Sequence, residues 1–320
     1  MLVIDTLIQA IDRKQSPIVV GLDPVIEHIP DTIKDQAIAS YGNTMQGVAE
    51  AIYLFNQALL NILHPVIPAV KLQMACYELY GQWGIDAFQR TVVLAKSLDL
   101  MVIDDSKRND IGSSAALYAK GHLGHALLFN SEEREIKPDF LTINPYLGDD
   151  SISPFVKECL DHNKGLFILA RTSNPSASQY QEALIDNIPL YLKIARDIQF
   201  LSEGHTGERG YSSFGAVVGA TWPRELSQLR EEMPSVYFLV PGYGAQGAGA
   251  DDVAHAFNAD GYGALINSSR AIIFAYRSTQ ASGQEWDPSQ FAEASLEAVM
   301  QMRNELLRSL RQAGRLPKNW

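Results

Sequence analysis

Short apolar runs alternate with helix-length segments along almost the whole chain, and this alternation restricts the fold more than any other feature. Each run is four to nine residues long and gives way to turn-forming or polar residues, as buried parallel strands do. Parallel strands joined by helices require right-handed crossovers. The predicted strands cover 16–24, 66–71, 98–105, 140–145, 165–171, 215–220, 237–240 and 264–267.

Eight strands favour a closed barrel over an open sheet, so we predict an α/β fold of the (β/α)8 TIM-barrel type. A length of 320 residues suits such a barrel, and we expect a single domain over 1–320 with helical insertions. An N-terminal helix is expected to cap the barrel floor. The main predicted helices are 1–14, 43–63, 77–97, 113–121 with its serines as caps, 191–200, one starting at 222, and 289–312.

Two segments exceed the usual length of a connection. The segment 123–138 contains four charged residues at 132–135 and is predicted to be a solvated surface excursion. The segment 172–213 contains one predicted helix and a glycine-rich loop. It is compatible with a mobile lid or with a peripheral insertion, and the usual behaviour of loops favours the insertion.

Charge and composition narrow the class of partner. The net charge is −11 and the pI about 5.1, which disfavours non-specific binding to nucleic acid or to an anionic membrane. The two cysteines, Cys76 and Cys159, have no metal-site spacing, which suits a reducing compartment. The first residues are amphipathic and no span of about 20 apolar residues occurs. We therefore expect a cytoplasmic protein without a membrane partner.

A charged motif follows the third predicted strand. If the extended backbone persists, Asp105 and Lys107 point to one side, while Asp104 and Ser106 point to the other. Asp110, one turn later, could add a second carboxylate beside the ammonium group. Such a site suits a proton donor that works next to a developing negative charge. The alternative is a solvated charged loop, because short motifs match by chance.

Polar residues at the carboxyl ends of the strands strengthen the catalytic interpretation. In a barrel of this kind these ends meet at one mouth, where active sites form. We therefore expect the following side chains to converge: Asp23, Lys71, Asp105, Lys107, Asn144 and Arg171.

The last two strands carry a candidate phosphate site. The loop 241–249 is rich in glycine, which permits close backbone approach, and Gln246 adds an amide donor. Arg270, at the end of 267–270, offers a guanidinium group that matches phosphate oxygens. A turn-rich loop beside a surface arginine is the structural alternative.

These residues together resemble the orotidine 5'-phosphate decarboxylase family. The resemblance covers about 18–274, and the added length is similar to the longer, type 2 branch. It rests on Asp23, Lys71, Asp105-x-Lys107-x-x-Asp110-Ile111, Pro241-Gly242-x-Gly244-Ala245-Gln246-Gly247 and Ser269-Arg270.

The resemblance implies decarboxylation of orotidine 5'-phosphate to uridine 5'-phosphate (UMP), the last step of UMP synthesis, without metal or organic cofactor. It implies that Lys107 protonates C6 of a vinyl carbanion while Asp105 faces the departing carboxylate. Lys71 would hold either residue in place and contact the ribose, and Asp23 would bind a ribose hydroxyl.

The remaining implied roles concern binding and assembly. The resemblance assigns the pyrimidine edge to Ser173 and the phosphate to Gln246 and Arg270. It also implies a homodimer in which Asp110 and Ser114 reach the neighbouring subunit's site. Ser114 replaces a common threonine, and Ser269 replaces a common glycine.

Two other functions remain open on sequence grounds. One is a metal-assisted sugar-phosphate aldolase or decarboxylase of the same superfamily, in which a carboxylate would stand in place of Lys71. The other is a catalytically inactive phosphate-binding barrel.

Overall fold

The predicted (β/α)8 barrel is confirmed. The computed structural model describes residues 1–133, 135–244, 248–279, 283 and 285–320, and within these ranges eight parallel strands close into a barrel in which each pairs with its neighbour in sequence and the last pairs with the first. The strands are β1 Ile18–Leu22, β2 Ala69–Gln73, β3 Met101–Arg108, β4 Phe140–Ile143, β5 Gly165–Arg171, β6 Ser212–Val218, β7 Val236–Val240 and β8 Ala264–Ser268.

Helices surround the barrel and pack on the outer side of the sheet, except for the first helix, which closes one end. They are α1 Val3–Lys14, α2 Asp31–Tyr41, α3 Met45–Leu63, α4 Ala75–Glu78, α5 Gly81–Ser97, α6 Gly112–His122, α7 Asp149–His162, α8 Ser178–Gln181, α9 Leu190–Ser202, α10 Pro223–Glu232, α11 Ala250–Val253, α12 Arg270–Ile273 and α13 Phe291–Gln312. Among the described residues, no helix is both long and apolar enough to cross a bilayer.

Helix α1 caps the barrel floor, as predicted. Its buried face, including Ile4, Leu7 and Ile11, belongs to one apolar cluster with barrel residues such as Phe140 and Phe167. This packing fills the amino-terminal end of the barrel. The opposite end, where the strands terminate, remains open for a site.

Local backbone signals moved several predicted boundaries. Strand β2 begins later than predicted, because the amides of Val66 and Ile67 still donate to the Leu63 carbonyl at the end of α3. The helix predicted over 77–97 is divided into α4 and α5, and Gly81 at the start of α5 has a left-handed φ of +58°. The predicted serine caps of α6 are wrong. The helix begins one residue earlier, its N-cap is Ile111, and no side chain caps it.

The two long connections contain more regular structure than predicted. Within 123–138, Ala126–Leu127 and Glu132–Glu133 form a small antiparallel hairpin with exposed side chains. Within 172–213, helix α9 buries Leu192, Ala195 and Ile198 in the main core. The longer segment therefore supplies a helix of the barrel layer, and the interpretation as a peripheral insertion is wrong for this part.

Candidate active site

A cavity of about 480 Å³ opens at the carboxyl ends of the strands. Charged, polar and apolar side chains all contribute to its wall. This position is the one where (β/α)8 barrels place their active sites. The lining residues are Asp23, Lys71, Gln73, Asp105, Lys107, Leu169, Thr172, Ser173, Asn174, Val217, Leu239, Pro241, Gly242, Tyr243, Asn267, Ser268, Ser269 and Arg270.

Two lysines and two aspartates form a continuous chain of ion pairs in this cavity. The Lys71 ammonium lies 2.8 Å from Asp105 Oδ2 and 3.4 Å from Asp23 Oδ1. The Lys107 ammonium lies 2.7 Å from the other oxygen, Asp105 Oδ1. Asp105 is thus held between two cations, and the four charges cancel within the group.

Burial and ion pairing shift the pKa values of Asp105 and Lys71 in opposite directions. Burial would raise the pKa of Asp105, but the ammonium groups of Lys71 and Lys107 outweigh it and hold that pKa well below its usual range. Burial would lower the pKa of Lys71, but Asp23 and Asp105 outweigh it and raise that pKa above its usual range. Asp105 is therefore a carboxylate and Lys71 an ammonium ion at neutral pH.

A β-bulge sets the direction of the Lys107 side chain. Asp104 pairs with Leu141 and Arg108 pairs with Ile143. Between these two pairs, β3 advances by four residues while β4 advances by two. Lys107 lies inside this bulge with a left-handed φ of +50°. Its amide donates to Thr142 Oγ1 at 2.9 Å. Bulges next to active sites commonly re-aim a side chain in this way, and here the ammonium returns to Asp105.

The pairing of Asp105 with Lys107 was predicted, but for a partly wrong reason. The prediction assumed an extended strand through Lys107. Side chains alternate between the two faces of β3 only as far as Ser106. The Ser106 hydroxyl donates to Asp104 on one face, while Asp105 lies on the other face and accepts from Lys107. The left-handed backbone at Lys107 then turns its side chain back to the face that carries Asp105.

The described part of the predicted phosphate site lines the same cavity. Ser269 and Arg270 both line the cavity, and Arg270 is exposed at its edge. Gly21 approaches closely, because a Cβ atom built there would lie 1.9 Å from Ser269 Oγ. Gln246, predicted to contact the phosphate, lies outside the described residues.

Ser173 also lines the cavity, two residues after the end of β5. Its neighbour Thr172 is held on three sides. Gln181 Oε1 accepts from the Thr172 amide at 2.9 Å, Gln181 Nε2 donates to the Thr172 hydroxyl at 2.6 Å, and Trp222 Nε1 donates to the Thr172 carbonyl at 3.3 Å. The first residues of the 172–213 segment are therefore a fixed part of the wall.

Two predicted residues point elsewhere. Arg171 is fully buried outside the cavity, with its guanidinium 2.5 Å from Glu182 and stacked on Trp222. The cause is a pairing shift: Val217 pairs with Leu169 and Val218 with Arg171, so one extra residue turns Arg171 to the other face. Asn144 follows the end of β4 and accepts a local hydrogen bond from the Tyr146 amide. Both expectations of convergence at the mouth are wrong.

Asp110 and Ser114 do not line the cavity of their own chain. Asp110 accepts a hydrogen bond from the Ile111 amide at 2.8 Å, and Ser114 is exposed on the first turn of α6. The idea that Asp110 returns to the same site as Lys107 does not hold within one chain. The position of both residues at the surface leaves open the predicted contact with a neighbouring subunit.

Several polar residues at the site were not predicted as site residues, and Thr142, Gln73 and Asn267 are described here. Thr142 Oγ1 donates to Asp105 Oδ1 at 2.9 Å, and Gln73 Nε2 donates to Asp105 Oδ2 at 3.3 Å. Asn267 is 7% exposed, and its Oδ1 has no hydrogen-bond partner among the described residues. Gln73 could have been found from strand alternation, because it lies two residues after Lys71 on the same face.

The charge balance bears on metal binding. Within the described ranges, no cluster of three or more His, Cys, Asp and Glu side chains is arranged to hold a metal ion. Asp23 and Asp105, the carboxylates of the cavity, are already neutralised by ammonium groups at 2.7–3.4 Å. A divalent cation would have to displace them.

Comparison with known proteins gives a consistent result. Residues 17–284 match the profile of the "Orotidine 5'-phosphate decarboxylase / HUMPS family". The chain is 38% identical to a Rhodopirellula baltica protein over 93% of this chain and 96% of that one, and 36% identical to a Caldicellulosiruptor bescii protein over 85% and 90%. Both relatives are named orotidine 5'-phosphate decarboxylase.

Solved structures agree. The chain is similar to the OMP decarboxylase of Leishmania donovani, with a TM-score of 0.67, 27% identity, and coverage of 95% of this chain and 99% of that one. A likeness to the orotidine 5'-monophosphate decarboxylase of Plasmodium berghei, with a TM-score of 0.71, 20% identity, and coverage of 94% and 98%, supports the fold alone.

Proposed function

The chain belongs to the orotidine 5'-phosphate decarboxylase family, and on that premise we propose that it converts orotidine 5'-phosphate to UMP and CO2, the last step of UMP synthesis. One structural observation on this protein supports the proposal most directly. The ion-paired residues Lys71, Asp105 and Lys107 lie in the same cavity as Arg270. A ligand with a phosphate at one end and an acidic ring at the other fits this arrangement.

Lys107 is the proposed proton donor. When the bond between C6 and the carboxyl carbon breaks, the electron pair stays on C6 and CO2 leaves. The Lys107 ammonium then transfers one proton to C6, and the neutral amine regains a proton from solvent. Two opposite unit charges about 4 Å apart attract by about 4 kcal/mol at an effective dielectric constant of about 20, which is about a thousandfold in rate.

Asp105 and Lys71 are the proposed partners of this donor. Asp105 would face the departing carboxylate, and two hydrogen-bonded oxygens at 2.7 and 2.8 Å fix its position before substrate arrives. A preorganised site avoids reorganisation at the moment of reaction. Lys71 would hold Asp105 in place and contact the ribose, and Asp23 would bind a ribose hydroxyl.

Binding of the remote groups would position the ring. Arg270 and Gln246 are the proposed phosphate contacts, and Ser173 is the proposed contact to the pyrimidine edge. Energy gained at the phosphate can be used to orient the reacting carbon. Asn267 offers an additional acceptor, because its Oδ1 is buried beside the cavity without a partner among the described residues.

The test is the loss of orotidine absorbance on addition of orotidine 5'-phosphate to purified protein, with and without a chelator. We expect equal rates in both. Loss of activity with chelator would favour a metal-assisted aldolase or decarboxylase of the same superfamily. Phosphate-ligand binding with no turnover in either condition would indicate an inactive phosphate-binding barrel.

We also propose that the active form is a homodimer with Asp110 and Ser114 reaching the partner's site. Ile111, Leu117 and Tyr118 expose apolar surface on the same segment, which supports burial by a second copy. Mixing two inactive variants, Lys107→Ala and Asp110→Ala, should restore roughly a quarter of wild-type activity by random pairing of a two-fold dimer. No restoration, although the variants do exchange subunits, would contradict the shared site.

The setting proposed for this activity is the cytoplasm. Cys76 and Cys159 are both free thiols, which fits a reducing compartment. A net charge of −11 disfavours nucleic acid and anionic membranes as partners.

A further inference from the structure

A histidine spans the bulge that carries Lys107. His122, the last residue of α6, places Nδ1 2.6 Å from Asp104 Oδ2, and its Nε2 accepts from Arg108 Nε at 3.1 Å. Asp104 is the last paired residue before the bulge, and Arg108 is the first paired residue after it. One imidazole ring therefore connects the two ends of the segment that holds Lys107.

The hydrogen-bond directions fix the tautomer of this ring. Arg108 Nε always carries a hydrogen, so His122 Nε2 must be the acceptor. The ring hydrogen is then on Nδ1 and points to the Asp104 carboxylate. The Asp104 side chain is 1% exposed and the His122 side chain 15% exposed, so this bond is largely shielded from water.

Further contacts hold both ends of the bridge. The Ser106 hydroxyl donates to the second oxygen of Asp104. Arg108 also pairs with Glu78 of α4, and its guanidinium lies 5.6 Å from the centre of the Tyr118 ring. Ser106 and Arg108 are the two chain neighbours of Lys107. The side chains of Ser106 and Arg108 make these contacts on the outer face of the sheet, whereas the Lys107 side chain points into the cavity.

We propose that His122, with Asp104, is a positioning residue for Lys107. The left-handed backbone of Lys107 is unfavourable for a residue with a side chain and persists only when its surroundings impose it. The bridge imposes it by fixing the separation of Asp104 and Arg108. His122 touches neither the cavity nor the ion-pair chain and acts on the proton donor through the backbone.

This proposal rests on the proposed function and is tested with the full-length chain. His122→Phe keeps an aromatic ring of similar size and removes both hydrogen bonds. His122→Gln loses the ring but keeps an amide that can accept from Arg108. We expect kcat to fall about tenfold to hundredfold in His122→Phe, the range for a small misplacement of a reacting group. We expect a smaller fall in His122→Gln.

Binding should change little. The KM for orotidine 5'-phosphate and the Kd for UMP should stay within about threefold of wild type, since an interaction that acts only on the chemical step lowers kcat alone. The matched control is His255→Phe, an exposed histidine outside the cavity lining, which should leave kcat unchanged. If His122→Phe does not fold, Arg108→Met cuts the same bridge from its other end and should give the same kinetic pattern.

Each outcome decides one proposal. A lower kcat in His122→Phe than in His122→Gln, with unchanged Kd for UMP, supports the positioning role. A kcat in His122→Phe equal to wild type, or above that of His122→Gln, overturns it, because ring packing alone would then be the role of His122. A wild-type protein without turnover overturns the proposed function instead.

Discussion

Removal of Lys71 should leave Asp105 as a buried carboxylate that is paired with one ammonium group instead of two. In Lys71→Met, Asp105 keeps the Lys107 ammonium at 2.7 Å but loses the one at 2.8 Å. Breaking one side of a buried ion pair costs about 3–5 kcal/mol. We expect the lower end of that range, because Lys107 remains in contact.

The loss should be visible as a lower melting temperature. A destabilisation of about 3 kcal/mol corresponds to a fall in Tm of about 5–10 °C for a large domain. The control is Lys193→Met, which removes a solvent-exposed Lys–Asp pair of 3.4 Å. That change should cost less than about 1 kcal/mol.

A double variant tests the physical reason. Lys71→Met with Asp105→Asn removes the orphaned charge together with its partner, so the double variant should be more stable than Lys71→Met alone. Urea unfolding at neutral pH gives the free energy of unfolding of wild type, Lys71→Met, Asp105→Asn and the double variant. Additive losses, within about 0.5 kcal/mol, would refute the argument that the two groups are coupled.

Three further predictions concern pH, packing and the phosphate. The unfolded pKa of Asp105 is near 3.8 and its folded pKa is lower, so its contribution to stability is complete above about pH 5 and is lost progressively as the pH falls further. Urea midpoints measured from about pH 6 to 3 should therefore fall more steeply for wild type than for Asp105→Asn. Gly21→Ala places a Cβ 1.9 Å from Ser269 Oγ and should raise the KM; Gly21→Ala combined with Ser269→Gly should recover most of it, and no recovery would show that Ser269 is not the obstacle. Arg270→Gln should raise the KM about tenfold to hundredfold through loss of a charged hydrogen bond, with kcat less affected; an unchanged KM would place the phosphate elsewhere.

The barrel could be predicted because its signal is local and repeated. Each apolar run marks a strand, and every strand has the same relation to the next helix. The group Asp23, Lys71, Asp105 and Lys107 could be predicted because these residues follow or end strands that must meet at one mouth.

Irregular strand pairing explains why Arg171 was misplaced and why the reasoning for Lys107 was partly wrong. Alternation places Arg171 in the cavity, but the shifted register beside Val218 turns it outward. Alternation also places Lys107 correctly, although the bulge and the left-handed backbone were not visible in the sequence. Bulges depend on the partner strand, so the residues of one strand do not reveal them.

The bridge through His122 could not be predicted for a different reason. His122 and Asp104 are 18 residues apart, on a helix and on the outer face of a strand. Neither spacing nor charge pattern links them in the sequence. Only the packing of α6 against the sheet brings the ring to the bulge.

The proton-donor role of Lys107 is tested most directly by a Lys107→Ala variant, assayed for UMP binding and for turnover. The Lys107 side chain is 42% exposed, so its removal should leave the fold intact. We expect a UMP Kd within about fivefold of wild type, since the phosphate contacts remain, together with loss of measurable conversion of orotidine 5'-phosphate. Turnover by Lys107→Ala at a rate near that of wild type would contradict the central claim that this ammonium group protonates C6.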